Sequence, residues 1–239
     1  MKRRALAVFA ALAALAAGCN PPPYVTYRSV SKDFSVAVPW GWSVVADADH
    51  DIFSQVTFIG PFDMDFYLGA PSLSVRWYKD YSPHAMRNGE LEMYADADDF
   101  IRQSLQRVYG KNAFVYGASL GPPESRPTID PSRIPEITLN ESGLPAKYFA
   151  VLSPTPASTG VTIGTVKDEN GVLSNQRYHE YAVVTVGDGF YVLCYPATLR
   201  GHEKGLEAFR RLIGSFHPYT AGPGGAKIKI PGPRQASER

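Results

Sequence analysis

Two cysteines occur in this chain, Cys19 and Cys194, and the first stands where a thiol can be acylated. Cys19 follows Leu15-Ala16-Ala17-Gly18, the end of a 14-residue apolar run from Ala5 to Gly18 that Lys2-Arg3-Arg4 opens. A basic n-region, an apolar h-region and small residues before a cysteine are the arrangement of a bacterial lipoprotein export signal. The thiol accepts a diacylglyceryl group. A peptidase then cuts between Gly18 and Cys19, where small side chains let it close on the extended chain. Cys19 is thus the expected lipid attachment site, and Gly18 and Cys19 flank the expected cleavage. The run is shorter than the roughly 20 residues that cross a bilayer, so the expected anchor is lipid. Each buried CH₂ contributes about 0.8 kcal/mol, and two or three acyl chains hold firmly where one holds marginally.

Other chemistry-bearing groupings are weaker. Gly117-Ala118-Ser119-Leu120-Gly121 fits the G-x-S-x-G pattern of an esterase nucleophile elbow, but that pattern needs a helix directly afterwards. Pro122, Pro123, Pro127 and Pro131 follow instead, and prolines remove donors and clash with the preceding turn. Ser119 reads as a strand end entering a loop, and no catalytic residue is expected. Asp47, Asp49, His50 and Asp51 gather four oxygen or nitrogen ligands in five residues, with Asp63 and Asp65 nearby. Such a set suits Ca²⁺ or Mn²⁺, yet it lacks the Gly and terminal Glu of a Ca²⁺ loop and reads as a solvated acidic turn. His179-Glu180 and His202-Glu203 begin like zinc-protease helices, but Val183 and Leu206 stand where the second His is required. No metal and no cofactor is expected.

Loss of Lys2, Arg3 and Arg4 with the signal leaves 21 cations against 23 acids, a formal charge of about −2. That charge gives no basic field for nucleic acid, and Lys227 and Lys229 are too few for a binding arm. Residues 19–239 suffice for one domain and fall short for two. With Cys19 lipidated, Cys194 has no intrachain partner, and its apolar neighbours Phe190 to Tyr195 predict a buried structural thiol.

The elements follow from periodicity. Asn20 and Pro21-Pro22-Pro23 form a short stiff tether over residues 19–23. Tyr24 to Val30 and Phe34 to Val38 predict a first hairpin, closed by Pro39-Trp40-Gly41-Trp42. Further strands are predicted at Gln55 to Ile59, at Leu73, Val75 and Trp77 alternating with Ser74 and Arg76, and at Ala113 to Tyr116. Residues 146–152, 177–186 and 189–197 are continuously apolar, as in strands covered on both faces, and Gly187-Asp188-Gly189 turns the last pair. One helix is predicted from Ala97, Ile101, Leu105 and Val108 with Asp96 and Asp99 at its start, and a second from Leu206, Phe209, Ile213 and Phe216. Residues 121–145 and 153–175 read as long loops, and residues 219–239 as a disordered tail.

Ser31 to Trp42, a strand ending in Pro39 with Trp40 and Trp42 behind it, resembles the opening of PsbP-like domains. Tyr178 to Val186, the Gly187-Asp188-Gly189 turn, Phe190 to Ala197 and the helix closing in Ser215-Phe216 resemble that family's terminal hairpin and helix. The resemblance runs over residues 24–218. It implies an α+β fold, a single antiparallel sheet of about six strands with helices on both faces, shared by PsbP and a small Ran-binding import factor of yeast. Family members are mostly binding or assembly proteins. The lipoprotein signal and the Pro-rich 121–145 segment depart from the photosynthetic members, so neither a photosystem role nor any binding residue carries over.

These readings lead to a non-enzymatic, membrane-anchored envelope lipoprotein that binds or helps assemble another envelope component. The expected partners are the membrane, through the N-terminal lipid, and an envelope protein. Asn20, being other than Asp, directs the expectation to the outer membrane, facing the periplasm. The alternatives are an envelope hydrolase or metal-dependent enzyme using Ser119 or the Asp47–Asp51 cluster, and a carrier of an apolar ligand.

Overall fold

Strand alternation and two amphipathic helices build a layered α+β molecule. The structure, a computed structural model, describes residues 23–47, 53–66, 69–85, 91–109, 113–117, 120, 123–125, 129–156, 166–167 and 173–229. In chain order the strands β1 (Tyr24–Arg28), β2 (Phe34–Pro39), β3 (Ser43–Asp47), β4 (Phe53–Ile59), β5 (Ser72–Lys79), β6 (His84–Ala85) and β7 (Leu91–Glu92) precede helix α1 (Ala97–Val108). Then come β8 (Phe114–Tyr116), β9 (Glu124–Ser125), β10 (Glu136–Thr138), β11 (Pro145–Pro156), β12 (Val166–Lys167), β13 (Leu173–Val186), β14 (Gly189–Thr198), helix α2 (His202–Ser215) and β15 (His217–Pro218).

The expectation of one sheet of about six strands is corrected. A ten-stranded sheet runs β3-β4-β5-β14-β13-β11-β8-β9, with β10 on β11 and β12 on β13, beside a three-stranded sheet β1-β2-β15 and the pair β6-β7. Every described pairing is antiparallel. The number rises because β11 and β13, of 12 and 14 residues, outreach their central neighbours and recruit short strands along their spare length. The first hairpin, meanwhile, leaves the main sheet. Its Phe34, Val36 and Val38 face a core shared with Phe58, Leu73, Val75, Tyr191 and Leu193 of that sheet and with Phe209 and Leu212 of α2.

β14 is buried along nearly its whole length because both its faces are covered. Tyr191, Leu193 and Tyr195 meet α2 and the small sheet, whereas Phe190 and Val192 meet α1 through Phe100, Ile101 and Leu105. Helices therefore lie on both faces, and burying each of these large side chains contributes about 2 kcal/mol. Asp96 caps α1 by accepting from the Asp99 amide at 2.8 Å, and Asp99 accepts from the Ala95 amide at 3.0 Å. Close packing of α2 needs Gly205. A Cβ there would lie 2.3 Å from the Tyr195 hydroxyl, which donates to the carbonyls of Gly201 and His202. Gly187, at φ +62°, takes the left-handed position of the two-residue turn between β13 and β14.

The 121–145 segment, expected as a long loop, and the 219–239 tail, expected to be disordered, both contain packed residues. Within 121–145, Ile129 and Ile134 pack under α1 while Leu139 joins the core under α2, so residues 129–139 are fastened to both faces of the sheet. Residues 219–229 also depart from the expected disorder. Tyr219 and Thr220 donate from their amides to the Asp33 carbonyl, Ala221 and Ile228 pack on the core, and Thr220 bridges Lys227. Composition alone missed this because the cohesion comes from backbone bonds to a distant hairpin.

Candidate functional site

The first place of interest is the corner where the predicted tether meets the domain. The Trp40 amide donates to the Pro23 carbonyl at 3.0 Å, so its backbone is held against the last residue of the predicted tether. Trp42 packs inward against the core, whereas Trp40 is 57% exposed. The Arg211 guanidinium stands over the ring of Tyr24, which pairs with Pro39, at 5.8 Å. Directly after Trp42 comes β3, the edge of the large sheet, whose Val44 and Val45 are 45% and 52% exposed. Edge strands are usually blunted by charges, Pro or a bulge, and β3 carries no Pro and no charge before its last residue, Asp47.

A second place is polar and lies beneath α1. Tyr109 has its hydroxyl 2.8 Å from Nδ1 of His179 and also bonded to the Tyr181 hydroxyl. Burial, with Arg177 adding to it, pushes the His179 ring down to about 3, so it is neutral near pH 7. Burial raises the Tyr109 and Tyr181 hydroxyls and lifts the Cys194 thiol to about 11. These groups are tuned against proton transfer near neutrality and serve as a satisfied donor chain. Cys194 is buried and free, so thiolate chemistry is closed to it. Ser74 and Arg76 of β5 share this side of the sheet.

A third place joins the two His-Glu dipeptides. His179 and Glu180 point to opposite faces of β13, and Glu180 reaches α2, where its Oε1 lies 2.5 Å from Nε2 of His202. Both residues are buried, and Tyr178 stands edge-on to the His202 ring at 4.1 Å. The pair ties the first turn of α2 to the sheet. Sequence spacing missed it because its members are 22 residues apart on different elements. A charged residue inside an apolar strand is the signal that marks Glu180.

Among the predicted site residues, Gly18, Cys19, Ser119, Asp49, His50 and Asp51 lie outside the described residues. Asp47 ends β3 opposite Gln55. Asp63 and Asp65 are engaged by cations of this chain. Lys204 Nζ lies 2.7 Å from Asp63 and 2.6 Å from Asp65, and Arg200 Nε lies 3.0 Å from Asp65. The Lys204 hydrogen bond holds the Asp63 carboxyl below its ordinary range. These contacts pin the 61–66 segment to the start of α2, where Thr198 also donates to the Asp65 carbonyl.

No protein-family model and no curated protein matches the chain. Among solved structures, it is similar to the solution structure of cyanobacterial PsbP, CyanoP, from Synechocystis sp. PCC 6803. That likeness has 14% identity and a TM-score of 0.41, over 84% of this chain and 96% of that one. It is similar also to the Ran-binding protein Mog1p of Saccharomyces cerevisiae, at 10% identity and a TM-score of 0.42, over 82% of this chain and 95% of that one. These are the two kinds of protein that the sequence resemblance points to. At such identities they assign no residue a role and no partner to this chain. No described helix is long and apolar enough to cross a membrane.

Proposed function

We propose that this chain is a non-enzymatic lipoprotein of the bacterial envelope, held through Cys19 at the outer membrane and facing the periplasm, which binds or helps assemble another envelope protein. The observation that carries the reading is the continuity of the tether corner with an open sheet edge: Pro23 holds the backbone of exposed Trp40, and two residues beyond Trp42 stand the exposed valines of β3. A strand edge offers unpaired N–H and C=O groups to an incoming extended segment, and valines on both faces reward a partner that covers them.

The tether favours the same reading. Residues 19–22 span at most about 14 Å when fully extended, so lipid on Cys19 brings Trp40, Tyr24 and Arg211 close to the headgroups. Aromatic rings and a cation at that depth suit a membrane interface. The anchor is tested by fractionation with intact-mass measurement. The native chain is expected in the membrane at the mature lipidated mass, and Cys19→Ala at the precursor mass or released without lipid. Membrane retention of Cys19→Ala at the mature mass overturns it.

A further inference from the structure

On the α1 side of the sheet, β5 presents Ser74, Arg76 and Tyr78 in succession, because alternate residues of a strand share a face. Two of the three carry polar atoms that no described residue satisfies. Ser74 is 4% exposed and its hydroxyl has no hydrogen-bond partner, and the Nε of Arg76 is sealed from solvent equally unpaired. The guanidinium bonds sideways to Tyr78, and its other electrostatic neighbours are Tyr181 and Cys194. Burial raises both Tyr78 and Tyr181 and the Cys194 thiol, which leaves all three neutral. Among the described residues no carboxylate pairs with Arg76.

Arg76 is half-buried, but its Nε is sealed from water without a partner, which is costly, and an orphaned hydroxyl beside it adds to the cost. The flanking strands supply further polar groups. Gln55 stands opposite Arg76 and Thr57 opposite Ser74 on β4, with the Gln55 amide donating to the Thr57 hydroxyl at 3.1 Å, and Cys194 faces Ser74 from β14. Residues i and i+2 of a strand lie about 7 Å apart, a gap that one oxyanion spans when it accepts from a donor at each end.

We propose that Ser74 and Arg76 form a binding site for a small oxyanion, a carboxylate or a phosphate, which supplies the counter-charge that the described residues do not. The recognition is charge-assisted, with Arg76 Nε and the Ser74 hydroxyl as donors. The site goes beyond partner docking at β3 and stands or falls separately from it.

The test is a titration of the purified full chain in detergent with sodium phosphate and, separately, sodium acetate, against sodium chloride at equal ionic strength. Melting temperature and calorimetric binding are the readouts. A saturable rise with phosphate or acetate beyond that with chloride is expected, and the more effective ion names the ligand class. Ser74→Ala should weaken binding about fivefold, one hydrogen bond's worth, and Arg76→Gln by more than about tenfold. Responses that merely track ionic strength, or a Ser74→Ala chain that binds as tightly as the native one, overturn the site. Should Arg76→Gln fail to fold, Ser74→Ala decides alone, since it removes one hydroxyl and leaves the strand packing intact.

Discussion

At the scale of single residues, burial decides what the ionisable side chains can do. His179 is flanked by Tyr109, Tyr181 and Arg177, and is neutral when folded with its titration pushed down to about 3 from an ordinary 6.5. Its folded value is depressed, so this residue's contribution to stability is complete above about pH 6.5 and drains away as pH falls toward 3. Over that window the unfolded chain takes up a proton that the folded chain refuses. The slope reaches about 1.4 kcal/mol per pH unit. Gln can still accept from Tyr109 but cannot titrate, so urea unfolding of His179→Gln at pH 7, 5.5 and 4 should show a shallower acid loss than the native chain. Parallel losses in the two would remove His179 from the account. Cys194 was legible from its apolar neighbours alone, whereas the meeting of Glu180 with His202 was not. Neither residue's own neighbourhood in sequence specifies which helix will cross which strand.

Among the elements, those with strong local signals were read within a few residues. α1 and its Asp96 and Asp99 cap, α2, and the β13–β14 hairpin all follow from periodicity and turn chemistry close at hand. What local signals leave open is partnership. The first hairpin looks like any other sheet strand until Phe34 is seen against Phe216 and Tyr191, in a separate small sheet. The tail looks featureless until its amides are seen on Asp33. That residue is fully buried, and its carboxylate accepts from Ser29, Ser31 and the Tyr191 hydroxyl. Asp33→Ala orphans these donors and loosens the turn whose carbonyl holds Tyr219 and Thr220. It should cost about 3 kcal/mol in denaturant and speed amide exchange at 219–220 well before global unfolding. Native protection at those two amides would show that the tail holds itself.

For the molecule as a whole, order of elements and layer architecture were legible, because two amphipathic helices and a run of two-faced strands leave few ways to cover a sheet. The candidate surfaces were legible only in part. The Trp40 and Trp42 pair announces a corner, but which ring turns inward depends on Gly60, whose missing Cβ makes room for Trp42. The described part of the 121–145 segment is tied down on both faces through Ile129, Ile134 and Leu139. The β3 edge beside the tether is one open strand surface for a partner, with the proposed oxyanion site on the α1 side of the same sheet.

The most direct test of this account is a photo-crosslinking amino acid placed at position 45 in the lipidated protein within its own envelope. A control carries the same group at exposed position 136 on β10. The account predicts a discrete protein adduct from position 45 that is absent from position 136, is lost with Val44→Lys, and depends on Cys19. No adduct from position 45, or equal adducts from both positions, would contradict it.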